Sequence, residues 1–70
     1  MIEFVRRFEY YGTLWTDVKY KSGRVVSYRG NLPETVKKFI ASATKIYLIY
    51  DEIFGRDEMI YENGGNYERV

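Results

Sequence analysis

The chain has 70 residues and a formal net charge of +1, and it contains no cysteine and no histidine. This length predicts one domain, which buries only about 60% of the surface that its unfolded chain exposes. The missing residue types exclude disulfides, Cys/His zinc sites and the common Ser-His and Cys-His catalytic pairs. We therefore expect a protein that is not an enzyme and uses no cofactor or metal.

The charge is distributed unevenly along the chain. Residues 1–45 carry nine Lys/Arg against four Asp/Glu, whereas residues 46–70 carry two against six. Such an asymmetry can steer a charged partner or align two copies of a protein. Residues 1–7 lack the features of a signal or transit peptide, and the longest apolar run, residues 46–50, is far shorter than the roughly 20 residues of a membrane span. We expect a cytoplasmic protein.

Residues 2–29 predict a three-stranded antiparallel meander. They are rich in Val, Tyr, Phe and Thr, and turn signals interrupt them at residues 11–13 and 21–23. If both turns are three-residue loops, Tyr10 pairs with Leu14 and Val18 pairs with Val26. One face of the sheet then collects the apolar side chains, with Arg6 as the one discordant residue among them: Ile2, Phe4, Phe8, Tyr10, Leu14, Val18, Tyr20, Val26 and Tyr28.

The same register places opposite charges across from each other on the other face. Glu3 faces Lys21, and Arg7 faces Asp17. Cross-strand pairs of this kind contribute about 0.2–1 kcal/mol each. The charge pattern and the hydrophobic pattern therefore favour the same register.

The sequence Asn31-Leu32-Pro33-Glu34 is typical of a helix start, with an N-cap residue, proline in the first turn and glutamate three residues after the cap. It predicts a helix over residues 32–43. The apolar positions of this segment form one stripe that can pack on the sheet: Leu32, Val36, Phe39, Ile40 and Ala43.

Residues 45–53 are β-branched and aromatic, and residues 54–57 can turn the chain into a strand over 58–62. We predict a second hairpin, with a helix over residues 46–54 as the open alternative, because the same apolar residues also fit a helical stripe. The predicted fold is α+β, in the order βββαββ: a small antiparallel sheet with one helix packed on one face. This domain spans residues 1–63, and a frayed tail is expected over residues 64–70.

Two surfaces are predicted to bind a partner protein. Trp15 falls on the charged face of the meander beside Arg29, with Val5 and Val25 near it, and Trp with Arg is typical of interface hot spots. The second hairpin adds an acidic, tyrosine-rich surface suited to a basic groove. The candidate partner-binding residues are Trp15, Arg29, Tyr47, Tyr50, Asp51, Glu52, Asp57, Glu58 and Tyr61. The alternatives are that another element covers Trp15 and that the tyrosines only complete the sheet.

Nucleic-acid binding is the alternative function, because basic and aromatic residues interleave on the second half of the meander. Its candidate residues are Lys19, Lys21, Arg24 and Arg29. Against it, the predicted register turns Tyr20 and Tyr28 into the core and gives Lys21 an acidic neighbour. Few free positive charges then remain to displace counterions.

Residues 21–28, followed by Pro33, Glu34 and Val36, resemble the hairpin-then-helix half of the KTSC domain, a small domain of poorly defined role. This resemblance covers less than half of the chain, which lacks the terminal motif of that family, and it implies no function or site residue. In size, composition and charge the chain is also similar to small phage-encoded proteins that block host enzymes or defence systems.

The sequence as a whole predicts a small protein-binding module of the phage or mobile-element type. It would inhibit a host enzyme or defence protein, in the manner of an anti-CRISPR protein, by occupying its surface. The expected location is then the host cytoplasm, and a homodimer through an edge strand or Trp15 is expected. The alternative is a nucleic-acid-binding or transcription-regulatory module that uses the basic hairpin.

Overall fold

Five strands and one helix make up the computed structural model of the protein, which describes residues 1–63. The elements are β1 (Ile2–Tyr10), β2 (Thr13–Tyr20), β3 (Val25–Arg29), α1 (Glu34–Ala41), β4 (Lys45–Asp51) and β5 (Arg56–Glu62). All strand pairs are antiparallel, in the spatial order β3-β2-β1-β5-β4. The predicted α+β class is confirmed, and the tail predicted over 64–70 lies outside the described residues.

The β1–β2 turn differs from the predicted three-residue loop. Tyr10 pairs with Thr13 instead of Leu14, so the loop contains only Tyr11 and Gly12. Both loop residues have positive φ, 51° and 77°, as a type I′ turn requires. A bulky aromatic residue rarely adopts this conformation, so the sequence gives no sign of it. The predicted register of the first hairpin is wrong by one residue, which reverses the faces of β1 relative to β2.

The core lies between α1 and one face of the sheet, which we call the helix face. Val5 pairs with Val18, and both are fully buried in one cluster with Val36 of α1. A register shift between Ile2 and Phe4 keeps Ile2 on the helix face. The partly buried side chains of this core are Ile2, Tyr20, Tyr28, Leu32, Phe39, Ile40 and Tyr61. Val5, predicted to lie near Trp15, is therefore a core residue on the opposite face.

The other face of the sheet, which we call the open face, receives the remaining side chains of β1. Phe4, Phe8 and Tyr10 lie there and not on the predicted apolar face, because side chains alternate along the strand in the observed register. Arg6 lies there too, and its Nη2 donates to Asp17 Oδ2 at 3.0 Å. Arg6 was thus the one charged residue on the predicted apolar face because the predicted register was wrong by one residue.

The other predicted ion pairs also change partners. Glu3 lies 3.5 Å from the Nζ of Lys19 and not opposite Lys21. Arg7, which was predicted to face an aspartate, donates from Nε to the hydroxyl of Thr16 at 3.1 Å. Opposite charges meet in both the predicted and the observed register. Charge pairing on its own therefore does not distinguish two neighbouring registers of this hairpin.

The β2–β3 hairpin follows the prediction. Val18 pairs with Val26, and residues 21–23 form the expected three-residue loop. Gly23 has φ +99°, which is the left-handed position that such a loop needs. Here the glycine stands where the turn requires it, so the sequence predicts the register correctly.

Helix α1 is shorter than the predicted helix over 32–43. Its N-cap is Pro33, without a side-chain cap hydrogen bond, so the capping box predicted at Asn31 does not form. At the other end the Ser42 hydroxyl donates to the carbonyl of Lys38 at 2.8 Å. Four of the five residues of the predicted apolar stripe pack in the core, with Val36 fully buried: Leu32, Val36, Phe39 and Ile40. No helix among residues 1–63 is long and apolar enough to cross a membrane.

The second predicted hairpin is confirmed, and the helical alternative for residues 46–54 is wrong. β4 and β5 pair along their whole lengths without a register shift. The turn occupies residues 52–55, two positions before the predicted turn over 54–57. In this turn the N–H of Gly55 donates to the carbonyl of Asp51 at 2.7 Å.

Candidate protein-interaction site

A row of hydrogen-bonded and ion-paired side chains crosses the open face from β3 to β5, and we call it the charge ladder: Ser27, Asp17, Arg6, Glu58 and Arg56. The Ser27 hydroxyl donates to Asp17 Oδ1 at 2.7 Å, and Arg6 binds the other oxygen of Asp17. Glu58 Oε1 lies 3.9 Å from Arg6 Nε, and Glu58 Oε2 accepts from Arg56 Nε at 3.0 Å. The Glu58 side chain is only 1% exposed. Glu58, a candidate of the predicted acidic surface, is thus buried inside the ladder between two arginines.

Arg56 also contacts aromatic rings at one end of the sheet. Its guanidinium carbon lies 3.9 Å from the centroid of the Phe8 ring, 4.4 Å from that of Phe54 and 5.9 Å from that of Tyr10. Cation–π contacts of this kind stabilise by roughly 0.5–1 kcal/mol each at exposed sites. Because Arg56 is also bound by Glu58, the rings surround a cation whose position is fixed.

The β1–β2 and β4–β5 turns project from this same end and form a surface that we call the aromatic tip: Tyr10, Tyr11, Ile53 and Phe54. Tyr11 and Ile53 are 90% and 88% exposed, and Phe54 is 63% exposed. The Tyr10 and Tyr11 rings meet edge to face, with centroids 4.5 Å apart. A shallow groove runs between the two turns, with Glu9 and Arg56 completing its lining. Four large apolar side chains thus stand together in solvent.

Asp51 fixes the second turn of the tip. Its Oδ1 accepts hydrogen bonds from the backbone N–H groups of Ile53 at 3.0 Å and Phe54 at 3.2 Å, as in an Asx turn. The Phe54 hydrogen bond is the main reason that the pKa of Asp51 is lowered. Burial opposes this shift, while the hydrogen bond from Ile53 and the charge of Arg56 add to it. The ionised carboxylate is the form that holds the turn.

The structure brings Trp15 and Arg29 to the same end of the sheet as the tip. Trp15 pairs with Phe8 of β1 on one side and with Arg29 of β3 on the other. The Arg29 guanidinium lies 5.9 Å from the centroid of the Trp15 ring. Trp15 is half-buried on the open face, and its neighbour Phe8 contacts Arg56. Arg29, Trp15, Phe8 and Arg56 therefore form a row that leads from β3 to the tip.

The exposed candidates of the second hairpin border the tip. Tyr50 is 62% exposed at the end of β4, and Glu52 and Asp57 are exposed at either end of the turn. Glu9 is exposed on the neighbouring strand β1. These three acidic residues give the apolar tip an acidic rim.

Tyr47 and Tyr61 lie away from the tip. The Tyr47 hydroxyl donates to Glu62 Oε2 at 2.7 Å. This hydrogen bond is the main cause of the raised pKa of Tyr47, and burial and the negative charge of Glu62 add to it. Tyr61 packs against the core on the helix face. The predicted tyrosine-rich surface is thus divided between the two faces of the sheet.

The basic candidates for nucleic-acid binding lie at two ends of the sheet, with Lys19, Lys21 and Arg24 at the β2–β3 turn and Arg29 near the tip. Lys19 pairs with Glu3 and lies over the ring of Phe4. Tyr20 and Tyr28 pack against the core, as predicted. The guanidinium carbon of Arg24 lies 4.8 Å from the centroid of the Tyr20 ring, whereas Lys19 and Arg29 lie on the open face, away from the rings of Tyr20 and Tyr28.

A cavity of about 840 Å³ opens beside the start of β1 and the end of α1, away from the tip. Glu3 and Glu62 contribute carboxylates to its lining. Glu3 pairs with Lys19, while Glu62 accepts from Tyr47 and lies 4.0 Å from the Nζ of Lys45. The acidic groups of this cavity are therefore already engaged within the protein.

The residues that form the tip and its support are absent from the site residues predicted from the sequence: Tyr10, Tyr11, Ile53, Phe54 and Arg56. The incorrect register assigned Tyr10 to the core. The others lie in or next to the two turns, where polar residues are usual. The signal available in the sequence was the presence of large apolar residues at both turns. The two turns lie side by side only because β5 pairs with β1.

Comparisons of the chain with protein-family models, with curated proteins and with solved structures found no match. The resemblance to the KTSC domain is thus without support from a family model.

Proposed function

We propose that the protein is a small non-enzymatic binding module that attaches to another protein through its aromatic tip. The observation that carries this proposal is the outward presentation of Tyr11, Ile53 and Phe54 at one end of the sheet. Exposed apolar clusters of this kind mark interaction sites, and aromatic residues dominate interface energetics. The interior of the domain makes no use of these side chains.

The tip is held in place before binding. Asp51 fixes the backbone of the second turn, and the guanidinium of Arg56 contacts the rings of both Phe54 and Phe8. A surface that is ordered before binding loses less conformational entropy when its partner arrives. This supports a tip that inserts as a preformed wedge.

The acidic rim determines the chemistry of the partner. Glu9 and Asp57 are exposed on the helix-face side of the tip and Glu52 is exposed in its second turn, so a complementary site is an apolar recess bordered by Lys and Arg. Charge complementarity at a rim raises the association rate and disfavours acidic surfaces. On this proposal the protein acts by occupancy, as an inhibitor of the phage or anti-CRISPR type would, by filling a recess that a host protein needs for its own function.

The test uses two tip variants and one matched control. Tyr11→Asn removes the ring and places a residue that tolerates positive φ, and Phe54→Ser removes the ring held by Arg56. Val25→Ser is the control, because Val25 is 52% exposed at the other end of the sheet. Tagged proteins are used to capture partners from nuclease-treated lysate of the source cells, and the affinity of a captured protein is then measured with purified components. Circular dichroism confirms that each variant is folded.

We expect a stoichiometric protein partner whose affinity falls at least about tenfold with either tip variant, as for hot-spot residues, and is unchanged by Val25→Ser. Equal capture by the wild type and both tip variants would contradict the proposal. Recovery of nucleic acid alone, lost with Lys21→Glu and Arg24→Glu and unaffected by Tyr11→Asn, would favour the nucleic-acid alternative.

A further inference from the structure

β4 is an edge of the sheet, with β5 on one side and no strand among residues 1–63 on the other. It pairs with β5 along its whole length without a bulge, so its outer side presents a regular row of backbone N–H and C=O groups. Edge strands are ordinarily protected by proline, bulges or charges within the strand. Residues 46–50, Ile-Tyr-Leu-Ile-Tyr, include none of these.

The side chains of β4 are apolar and exposed on both faces. Ile46, Leu48 and Tyr50 lie on the helix face and are 54%, 58% and 62% exposed, because the core under α1 does not extend to them. Ile49 on the open face is 39% exposed. An unprotected edge with apolar side chains on both faces is suited to addition of a further strand.

We propose that this strand is β4 of a second copy of the chain, paired antiparallel with Leu48 opposite Leu48. Lys45 begins β4 and Asp51 ends it. In this register Lys45 of each copy therefore lies opposite Asp51 of the other, on the same face of the sheet. The apolar residues match as well, with Ile46 opposite Tyr50 and Tyr47 opposite Ile49. Cross-strand pairs of opposite charge and of aromatic with β-branched residues are the stabilising kinds.

Other registers lose this match. When a two-fold axis perpendicular to the sheet relates the two copies, every side chain stays on its own face of the sheet. The nearest alternative registers are therefore the two in which Tyr47 or Ile49, instead of Leu48, lies opposite the same residue of the other copy. Either displacement removes both pairs between Lys45 and Asp51. A parallel arrangement brings like charges toward each other at both ends of β4. The charges that bracket the strand thus select one register of self-pairing.

The resulting dimer is a continuous sheet with both helices on the same side. The exposed Ile46, Leu48 and Tyr50 of the two copies form one apolar strip between these helices. The two aromatic tips point in opposite directions, so the dimer would present them to two separate partner molecules. This interface is formed by β4 and not by the tip, and it does not depend on the proposed function.

The first experiment measures the association state of the full chain over a range of concentrations by sedimentation velocity. We expect the wild type to dimerise, and Leu48→Lys to raise the dimer dissociation constant on the order of 100-fold, because it places like charges opposite each other at the axis. Leu48 is more than half exposed in the single chain, so the variant should fold. The control is Val25→Lys on the other edge strand, which should leave the dimer unchanged.

Cysteine cross-linking tests the register, because the natural chain contains no cysteine. Leu48→Cys should form an intermolecular disulfide under mild oxidation, since the two positions face each other. Ile46→Cys alone should not, because its counterpart is displaced along the strand. The double variant Ile46→Cys/Tyr50→Cys should cross-link again.

A wild-type chain that stays monomeric at high concentration would overturn the inference, and so would a dimer that is equally stable with Leu48→Lys. A dimer that cross-links through Ile46→Cys and not through Leu48→Cys would overturn the register. If the tip proposal is wrong, Phe54→Ser leaves capture of the partner protein unchanged, whether the chain is a monomer or a dimer. The two proposals can therefore fail separately.

Discussion

Replacing Glu58 with alanine removes the carboxylate that two arginines of the charge ladder share. The 3.0 Å bond from Arg56 is a hydrogen bond between charged groups, worth about 1.5–3 kcal/mol. Arg6 Nε, at 3.9 Å, is too distant for a hydrogen bond and adds only charge attraction. Breaking a buried ion pair costs about 3–5 kcal/mol. The arginine side chains are 35% and 19% exposed and can recover water, so we expect a loss of about 3 kcal/mol.

In a domain of this size 1 kcal/mol corresponds to about 4–8 °C, so the melting temperature should fall by roughly 12–24 °C. Thermal and urea denaturation at one fixed protein concentration measure the effect. Glu58→Gln keeps an acceptor for Arg56 and should cost less. Asp57→Ala is the matched control, because Asp57 is the preceding residue of β5 and is exposed; it should change stability by less than about 0.5 kcal/mol. Equal effects of Glu58→Ala and Asp57→Ala would refute the stabilising role of the ladder.

Gly12→Ala should destabilise by about 1 kcal/mol in urea denaturation, because it places a Cβ at φ +77°; an unchanged midpoint would contradict the type I′ turn. Val36→Ala should cost roughly 1.5–3 kcal/mol, since Val36 is fully buried, whereas Val25→Ala should have little effect. The lowered pKa of Asp51 contributes stability that is present above its unfolded-state value of about 3.9 and is lost as the pH falls through the lower folded-state value. Asp51→Asn should therefore reduce the acid dependence of stability, and an identical pH profile would contradict this.

The strands and the helix were predictable because each has a local signal. β-Branched and aromatic residues mark the strands, and the apolar stripe around Val36 marks α1. The β2–β3 register was predicted because Gly23 stands at its left-handed position. Local patterns of this kind reflect backbone preferences and burial of one face, both of which can be read from neighbouring residues.

The first hairpin was not predictable in the same way. Its register depends on Tyr11 adopting positive φ, which tertiary structure imposes against the preference of the residue. The register shift between Ile2 and Phe4 then changes the face of the strand once more. The charge pattern gave no correction, because Glu3 and Arg7 find partners in either register.

The sequence does not predict the tip, because the tip is formed by the pairing of two strands, β1 and β5, that are far apart in the chain. β1 lies between β2 and β5, and only this arrangement brings Tyr11 and Phe54 to the same end of the sheet. Trp15 and Arg29 were recognised from their residue types and do lie near this end. Arg56 was treated as a turn residue, although its contacts with Phe8 and Phe54 organise the site.

Geometry also explains why β4 and the tip are left uncovered. Five strands spaced about 4.8 Å apart span roughly 19 Å, whereas one helix with its side chains is about 10–12 Å across. A single helix of eight residues that packs over Val5 and Val18 therefore cannot reach the β4 edge. Ile46, Leu48 and Phe54 therefore stay exposed on this uncovered strand and in the turn. The proposed tip contact and the proposed pairing of β4 would each bury such side chains, so loss of either contact in the experiments above would leave their exposure as a consequence of the small helix alone.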